Sequence, residues 1–245
     1  MIWDKFKDFF HPSWHRHMKP FIESEECDEI YRQLKERGSK GVKIAPLSTD
    51  TWNAFRYCDY DKLKVVMMGM APYHTFKNGA PVADGLCMSC SKTGLLQPSL
   101  INFYDAYEKE MFDGMNLKLT RDPDLKFLAD QGVLLLNAGL TVSENMAGSH
   151  NHIWQPFIKY LIQDVLGVYN TGLIYWFLGK DSAKYEKLVT PFANYAIVTE
   201  HPAASAYRGD LFNSEGAFRK INTLLSQNNG KESVINFDNG EKSPF

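Results

Sequence analysis

Four short clusters of polar residues hold the groups with which this chain can do chemistry. They are Gly69-Met70-Ala71-Pro72-Tyr73-His74, Asn137 with Thr141 and Ser149-His150, Gly179-Lys180, and His201-Pro202-Ala203-Ala204-Ser205. Each follows a short apolar run: Val65–Met68, Val133–Leu136, Leu173–Leu178 and Ala196–Val198. Runs this short, continuously apolar and rich in branched or aromatic residues predict strands covered on both faces. In a parallel α/β sheet the carboxyl ends of the strands share one edge, and ligands bind there. The pattern therefore predicts that all four clusters converge on one crevice, which points to an enzyme.

Helical spacing fills the intervals between the strands. Ser99–Met111 is one such segment, with Ser99 as its expected N-cap. Trp154–Val168 places Ile158, Leu161, Ile162 and Val165 on one stripe, and Phe218–Leu225 follows the last strand. Strands alternating with helices predict a three-layer α/β fold: a central, short, parallel four-stranded sheet flanked by helices.

The 245 residues fit one domain, 1–245, with an Asn-, Gly-, Lys- and Ser-rich stretch at 228–245 expected to be a loose tail. A formal net charge of −2 gives no basic face, so any nucleic-acid contact must come from groups placed at a site. Four cysteines, Cys27, Cys58, Cys87 and Cys90, make no disulfide framework and suit a reducing compartment. Cys87-Met88-Ser89-Cys90 has no second pair at ligand spacing, so no metal is expected. No apolar run is long enough for a membrane span, and the first residues lack the apolar core of a secretory leader. They read as a short amphipathic helix. The expected location is cytoplasmic, or nuclear in a eukaryotic or viral setting.

Taken in order, the motifs resemble those of the family 1 uracil-DNA glycosylases, and the resemblance runs from Pro12-Ser13-Trp14 through Asn53-Ala54-Phe55-Arg56 to Ile235-Asn236-Phe237. Gly69-Met70-Ala71-Pro72-Tyr73-His74 is similar to the family's water-activating loop, usually Gly-Gln-Asp-Pro-Tyr-His. The resemblance assigns position 71 to the catalytic carboxylate that positions water and stabilises a cationic sugar; Ala71 can do neither. Met70 also departs from the pattern. Tyr73 matches the residue that excludes a methyl group at carbon 5 of the base. Met88, in Gly85-Leu86-Cys87-Met88-Ser89, stands where the family stacks a Phe on the base. Asn137 matches the base-reading Asn, whose amide pairs with uracil O4 and N3–H together and rejects cytosine. His201 matches the donor to uracil O2 that stabilises the departing base.

The same resemblance implies a DNA-binding set. Pro98 and Ser99, in Gln97-Pro98-Ser99-Leu100, and Gly179 and Lys180 fall where the family holds phosphates. Ser205 falls where a Leu plugs the hole left by the flipped base, with Tyr207 as a neighbouring substitute, and Arg208 follows in the Arg-Gly pair. Ser149-His150 before Trp154 reads as structural support. The implied function is a monofunctional DNA glycosylase that hydrolyses the N-glycosidic bond of a flipped-out uracil, with this copy inactivated by Ala71. The alternatives are a glycosylase for a modified pyrimidine, as in phage DNA, and a non-catalytic DNA- or protein-binding relative. Hydrolysis needs water and placed charges, so no cofactor is implied. DNA, single- or double-stranded, is the expected partner, together with a proteinaceous glycosylase inhibitor; no membrane partner and a monomer are expected.

Overall fold

The computed structural model describes residues 2–113, 115, 119–168, 172–189 and 194–240. Four strands form the central sheet: β1 (Val65–Gly69), β2 (Val133–Asn137), β3 (Ile174–Leu178) and β4 (Tyr195–Thr199). They lie in the order β2-β1-β3-β4, and every neighbouring pair is parallel. This is the expected α/β architecture. All residues of β1, β2 and β3 are buried, as continuously apolar strands demand. The last strand differs from expectation. β4 lies at the sheet's edge and alternates between partly buried and exposed residues up to Thr199, with Ala196 and Val198 exposed. A run of three residues gives no room to read that alternation.

Among the helices, α1 (Glu25–Ser39), α2 (Pro98–Phe112) and α3 (Asn151–Tyr160) are the long ones that precede β3, and α1 packs on α3. Short helices α4 (Lys180–Ala183) and α5 (Pro202–Arg208) follow β3 and β4 directly, and α6 (Ala217–Asn229) closes on α2. Trp176 of β3 meets Phe103 of α2, Phe218 of α6 and their neighbour Phe237, with ring centroids 5.1–6.2 Å from its own. Tyr175 and Phe177, its neighbours in β3, stack on each other instead. Alternate residues of one strand thus serve opposite faces of the sheet. A second aromatic cluster, Phe21, Trp52, Phe55, Trp154 and Phe157, ties the N-terminal segment to α3 at 5.0–5.5 Å.

Three further expectations are corrected. Gln97, not Ser99, is the N-cap of α2; Pro98 takes the first helical position, where its missing N–H costs nothing. The segment expected as one helix over Trp154–Val168 is α-helical from Asn151 to Tyr160, then widens into a π turn (Leu161–Val165) and tightens into a 3₁₀ turn (Leu166–Val168). The loose tail is also revised. α6 runs to Asn229, and Ile235 and Phe237 are fully buried in the main core. Asn222 exchanges two hydrogen bonds with Ile235 (2.8 and 2.9 Å), and Gln131 exchanges two with Asn236 (2.8 and 2.9 Å). Residues 241–245 of that stretch lie outside the described residues.

Candidate active site

Gly69, the last residue of β1, marks the centre of the site. It pairs in register with Asn137, and its carbonyl accepts from Ala138 N–H at 2.9 Å. A Cβ built on Gly69 would sit 2.6 Å from Cys87 Sγ, 3.1 Å from Asn137 Oδ1 and 3.7 Å from His201 Nε2. Side chains from three separate segments therefore meet above a residue that has none. Asn137 is buried, yet among the described residues no protein group hydrogen-bonds its side-chain amide. A buried amide kept free in this way is poised for a ligand.

His201 caps α5: its Nδ1 accepts the Ala203 backbone N–H at 3.0 Å. A ring nitrogen that accepts carries no proton, so Nε2 bears the hydrogen and faces the space above Gly69. Burial pushes the ring's pKa down to about 4, although Asp181 pulls it the other way. At neutral pH His201 is an uncharged Nε2–H donor. Gly179 is what lets it lie so close to the end of β3. Its φ is +86°, and a Cβ there would sit 2.9 Å from His201 Cβ.

Tyr73 is held by two hydrogen bonds. Its hydroxyl donates to Met88 O at 3.0 Å, and Ser99 Oγ lies 2.9 Å away. Because the phenol proton goes to a carbonyl, Ser99 is the donor in the second bond. The Ser99 hydroxyl proton is thereby committed, and any phosphate contact from this residue falls to its backbone N–H. Met88 is buried with φ +60°, a left-handed conformation unusual for its type, and it offers its carbonyl to Tyr73.

The remaining expected residues divide. Ala71 is half-buried beside buried Pro72, and Pro98 and Lys180 are exposed. Met70 turns away from the point above Gly69 and lines a neighbouring cavity with Asn151 and Asp181. Ser205 is fully buried and donates to Glu200 Oε1 at 2.7 Å, so it cannot act as a wedge; it pins α5 from inside. Tyr207 is 86% exposed on the same helix. Arg208 is not a free cation: it pairs with Glu200 at 2.8 Å and Asp210 at 3.0 Å.

Sequence reasoning missed several groups near this edge. Cys87 lies at the pocket floor as a buried thiol, its pKa pushed up to about 12 by burial. His74, next to Tyr73 in the loop, has a buried Nδ1 with no hydrogen-bond partner. Asp181 directly follows Lys180, a signal that was present in the chain order. His150 sits behind the site as a support, its ring nitrogens 2.8 Å from Thr141 Oγ1 and from Ser143 Oγ, while Trp154 donates to Thr141 at 2.7 Å.

A sequence profile of the uracil DNA glycosylase superfamily matches residues 55–226. The chain belongs to that superfamily. The uracil-DNA glycosylase of Amoebophilus asiaticus is 34% identical over 218 residues, spanning 87% of this chain and 93% of the relative. The crystal structure of mimivirus uracil-DNA glycosylase matches with a TM-score of 0.79 at 26% identity, covering 91% of this chain and 86% of that one. A single-residue variant of the mimivirus enzyme, solved in complex with UGI, matches with the same TM-score at 25% identity, covering 91% and 87%. The superfamily's fold and this chain's sheet order thus agree across nearly the whole molecule.

Two histidines, buried His150 and half-buried His201, make the stability of this superfamily member depend on pH. Burial pushes His150, like His201, down to about 4 from an ordinary 6.5. As pH falls below 6.5 the unfolded chain binds both protons and the folded chain does not. Unfolding free energy therefore falls between pH 6.5 and 4, with a slope of up to about 3 kcal/mol per pH unit for two protons. Denaturant melts at pH 7, 5.5 and 4.5 measure this; a flat curve across that window means that the rings protonate in place.

Proposed function

We propose that this chain hydrolyses the N-glycosidic bond of a uracil flipped out of DNA, leaving an abasic site. The observation that carries the reading is the pair of groups above Gly69: the amide of buried Asn137 and the Nε2–H of half-buried His201. The Asn137 amide, whose Oδ1 lies 3.1 Å from the Cβ position of Gly69, complements the acceptor O4 and donor N3–H of uracil. It meets cytosine with two mismatched groups, which costs more than a lost contact. A neutral imidazole N–H at O2 stabilises the negative charge that the departing base carries. Tyr73, fixed by Met88 O and Ser99, forms a wall that cannot swing aside for a methyl group. That wall favours uracil over a pyrimidine with a bulky carbon-5 substituent.

DNA approaches over the strand ends. Exposed Lys180 and the start of α2 face the phosphates, and exposed Tyr207, on a helix pinned through Ser205, Arg208 and Glu200, fills the space the base leaves. Ala71 lowers the rate but leaves recognition intact. The reading is tested with oligonucleotides carrying uracil, thymine or cytosine. The chain releases uracil slowly and neither other base, and Asn137→Ala lowers uracil release by about 10²-fold. Equal release of thymine or cytosine, or an Asn137→Ala form as fast as its parent, sinks it.

A further inference from the structure

A cavity of about 400 Å³ opens beside the base pocket, with Met70, Gly148, Asn151, His152, Asp181 and Tyr185 in its walls. Two of its polar atoms are orphans. Tyr185 is 2% exposed and its hydroxyl has no hydrogen-bond partner; Asn151 Oδ1 is likewise buried and unpaired. Polar atoms in that condition call for a polar occupant. The cavity adjoins the reacting loop. β1 and β3 are paired neighbours, with Met68 opposite Phe177. β3 ends at Leu178 and turns through Gly179 into α4, which packs against β1, so Met70, the neighbour of Ala71, and Asp181, the neighbour of Lys180, line the same cavity. Asn151 Oδ1 lies 2.4 Å from the Cβ position of Gly139, whose N–H donates to Met70 O at 3.2 Å, so the orphan oxygen backs directly onto this loop.

We propose that this cavity is the hydrolytic-water site, with Asp181 as the carboxylate and Asn151 Oδ1 as the second acceptor that hold the water position 71 cannot hold. The inference rests on the glycosylase reading above. The Asp181 side chain is 52% exposed, and its ion pair with Lys184 is long, 3.7 Å, so the carboxylate is free to take a water proton. Its charge is felt by His201 on one side and by Tyr185 on the other, which fits a position between the pocket and the cavity. In the step itself the N1–C1′ bond breaks and its electron pair leaves with the base, whose O2 accepts from His201 Nε2–H. The water oxygen bonds to C1′, and one water proton passes to the Asp181 carboxylate. That proton returns through solvent to the base anion, so the products are neutral uracil and the 1′-hydroxy sugar. Tyr185 Oη donates to the water and turns its lone pair toward C1′.

The test uses the full chain with Ala71 in place. Single-turnover release from a uracil oligonucleotide is measured across pH for the parent, Asp181→Asn, Asp181→Glu and Asn151→Ala, with oligonucleotide Kd measured by anisotropy. Asp181→Asn lowers release at least tenfold with Kd unchanged within twofold, and it flattens the acid limb of the pH profile. Asp181→Glu keeps the limb and part of the rate. Asn151→Ala lowers release severalfold. Parental release and an unaltered pH profile in Asp181→Asn overturn the proposal, as does a loss that appears entirely in Kd. Ala71→Asp separates the two layers: if that form releases uracil while the parent releases none, only the water site is overturned, and if neither releases any, the glycosylase reading falls with it.

Discussion

Replacing Ala71 with Asp raises single-turnover release of uracil by about 10²–10³-fold, the usual worth of one preorganised electrostatic group at a site of developing charge. The loop is already built to receive it. Gly69 and Met70 are held by the Ala138 and Gly139 N–H groups at 2.9 and 3.2 Å, and His74 O accepts from Asn145 N–H at 2.9 Å. None of these bonds involves the side chain at 71, so the carboxylate enters a fixed frame and pays little to be ordered. Rates with enzyme in excess of oligonucleotide isolate the chemical step from product release. The size of the gain also compares two carboxylates: one on the loop itself and Asp181 across the cavity. Unchanged release means that position 71 does not face the sugar.

The sheet was legible because Val65–Met68, Val133–Leu136 and Leu173–Leu178 are short, wholly apolar runs, each bounded by glycine, lysine or asparagine. The crevice followed from parallel topology, since the groups after each strand end must share an edge. What escaped was whatever depends on packing at right angles to the chain. Nothing in the sequence says that Asn151 and Tyr185, 34 positions apart, leave unpaired oxygens in one cavity. Ser205 was expected to face outward, but a small hydroxyl beside Glu200 is more stable turned inward and bonded than exposed. Arg208 was expected at DNA, and the local Glu200 and Asp210 already satisfy it. In the C-terminal stretch the abundant Asn and Gly masked Ile235 and Phe237, two residues whose burial outweighs the composition around them.

Gly69→Ala is the substitution that most directly separates the space above Gly69 from the groups around it. Gly69 does not have a positive φ, so alanine fits its backbone and any cost is one of room. The nearest obstacle, Cys87 Sγ at 2.6 Å, is fully buried, and its backbone N–H is tied to Leu135 O at 3.0 Å. Neither atom can retreat without moving the core, so the change costs about 1–3 kcal/mol of stability, the usual range for overpacking. In a chain of this size that lowers Tm by roughly 2–12 °C. Release of uracil falls further, by about 10²-fold or more, because the added methyl stands 3.1 Å from Asn137 Oδ1, where the base must sit. Combining the change with Cys87→Ala removes the sulfur and decides between the two effects. Stability recovers in the pair while release does not, since the methyl still faces Asn137 and His201. If release recovers together with stability, the methyl acted through the core, and the base does not seat above Gly69.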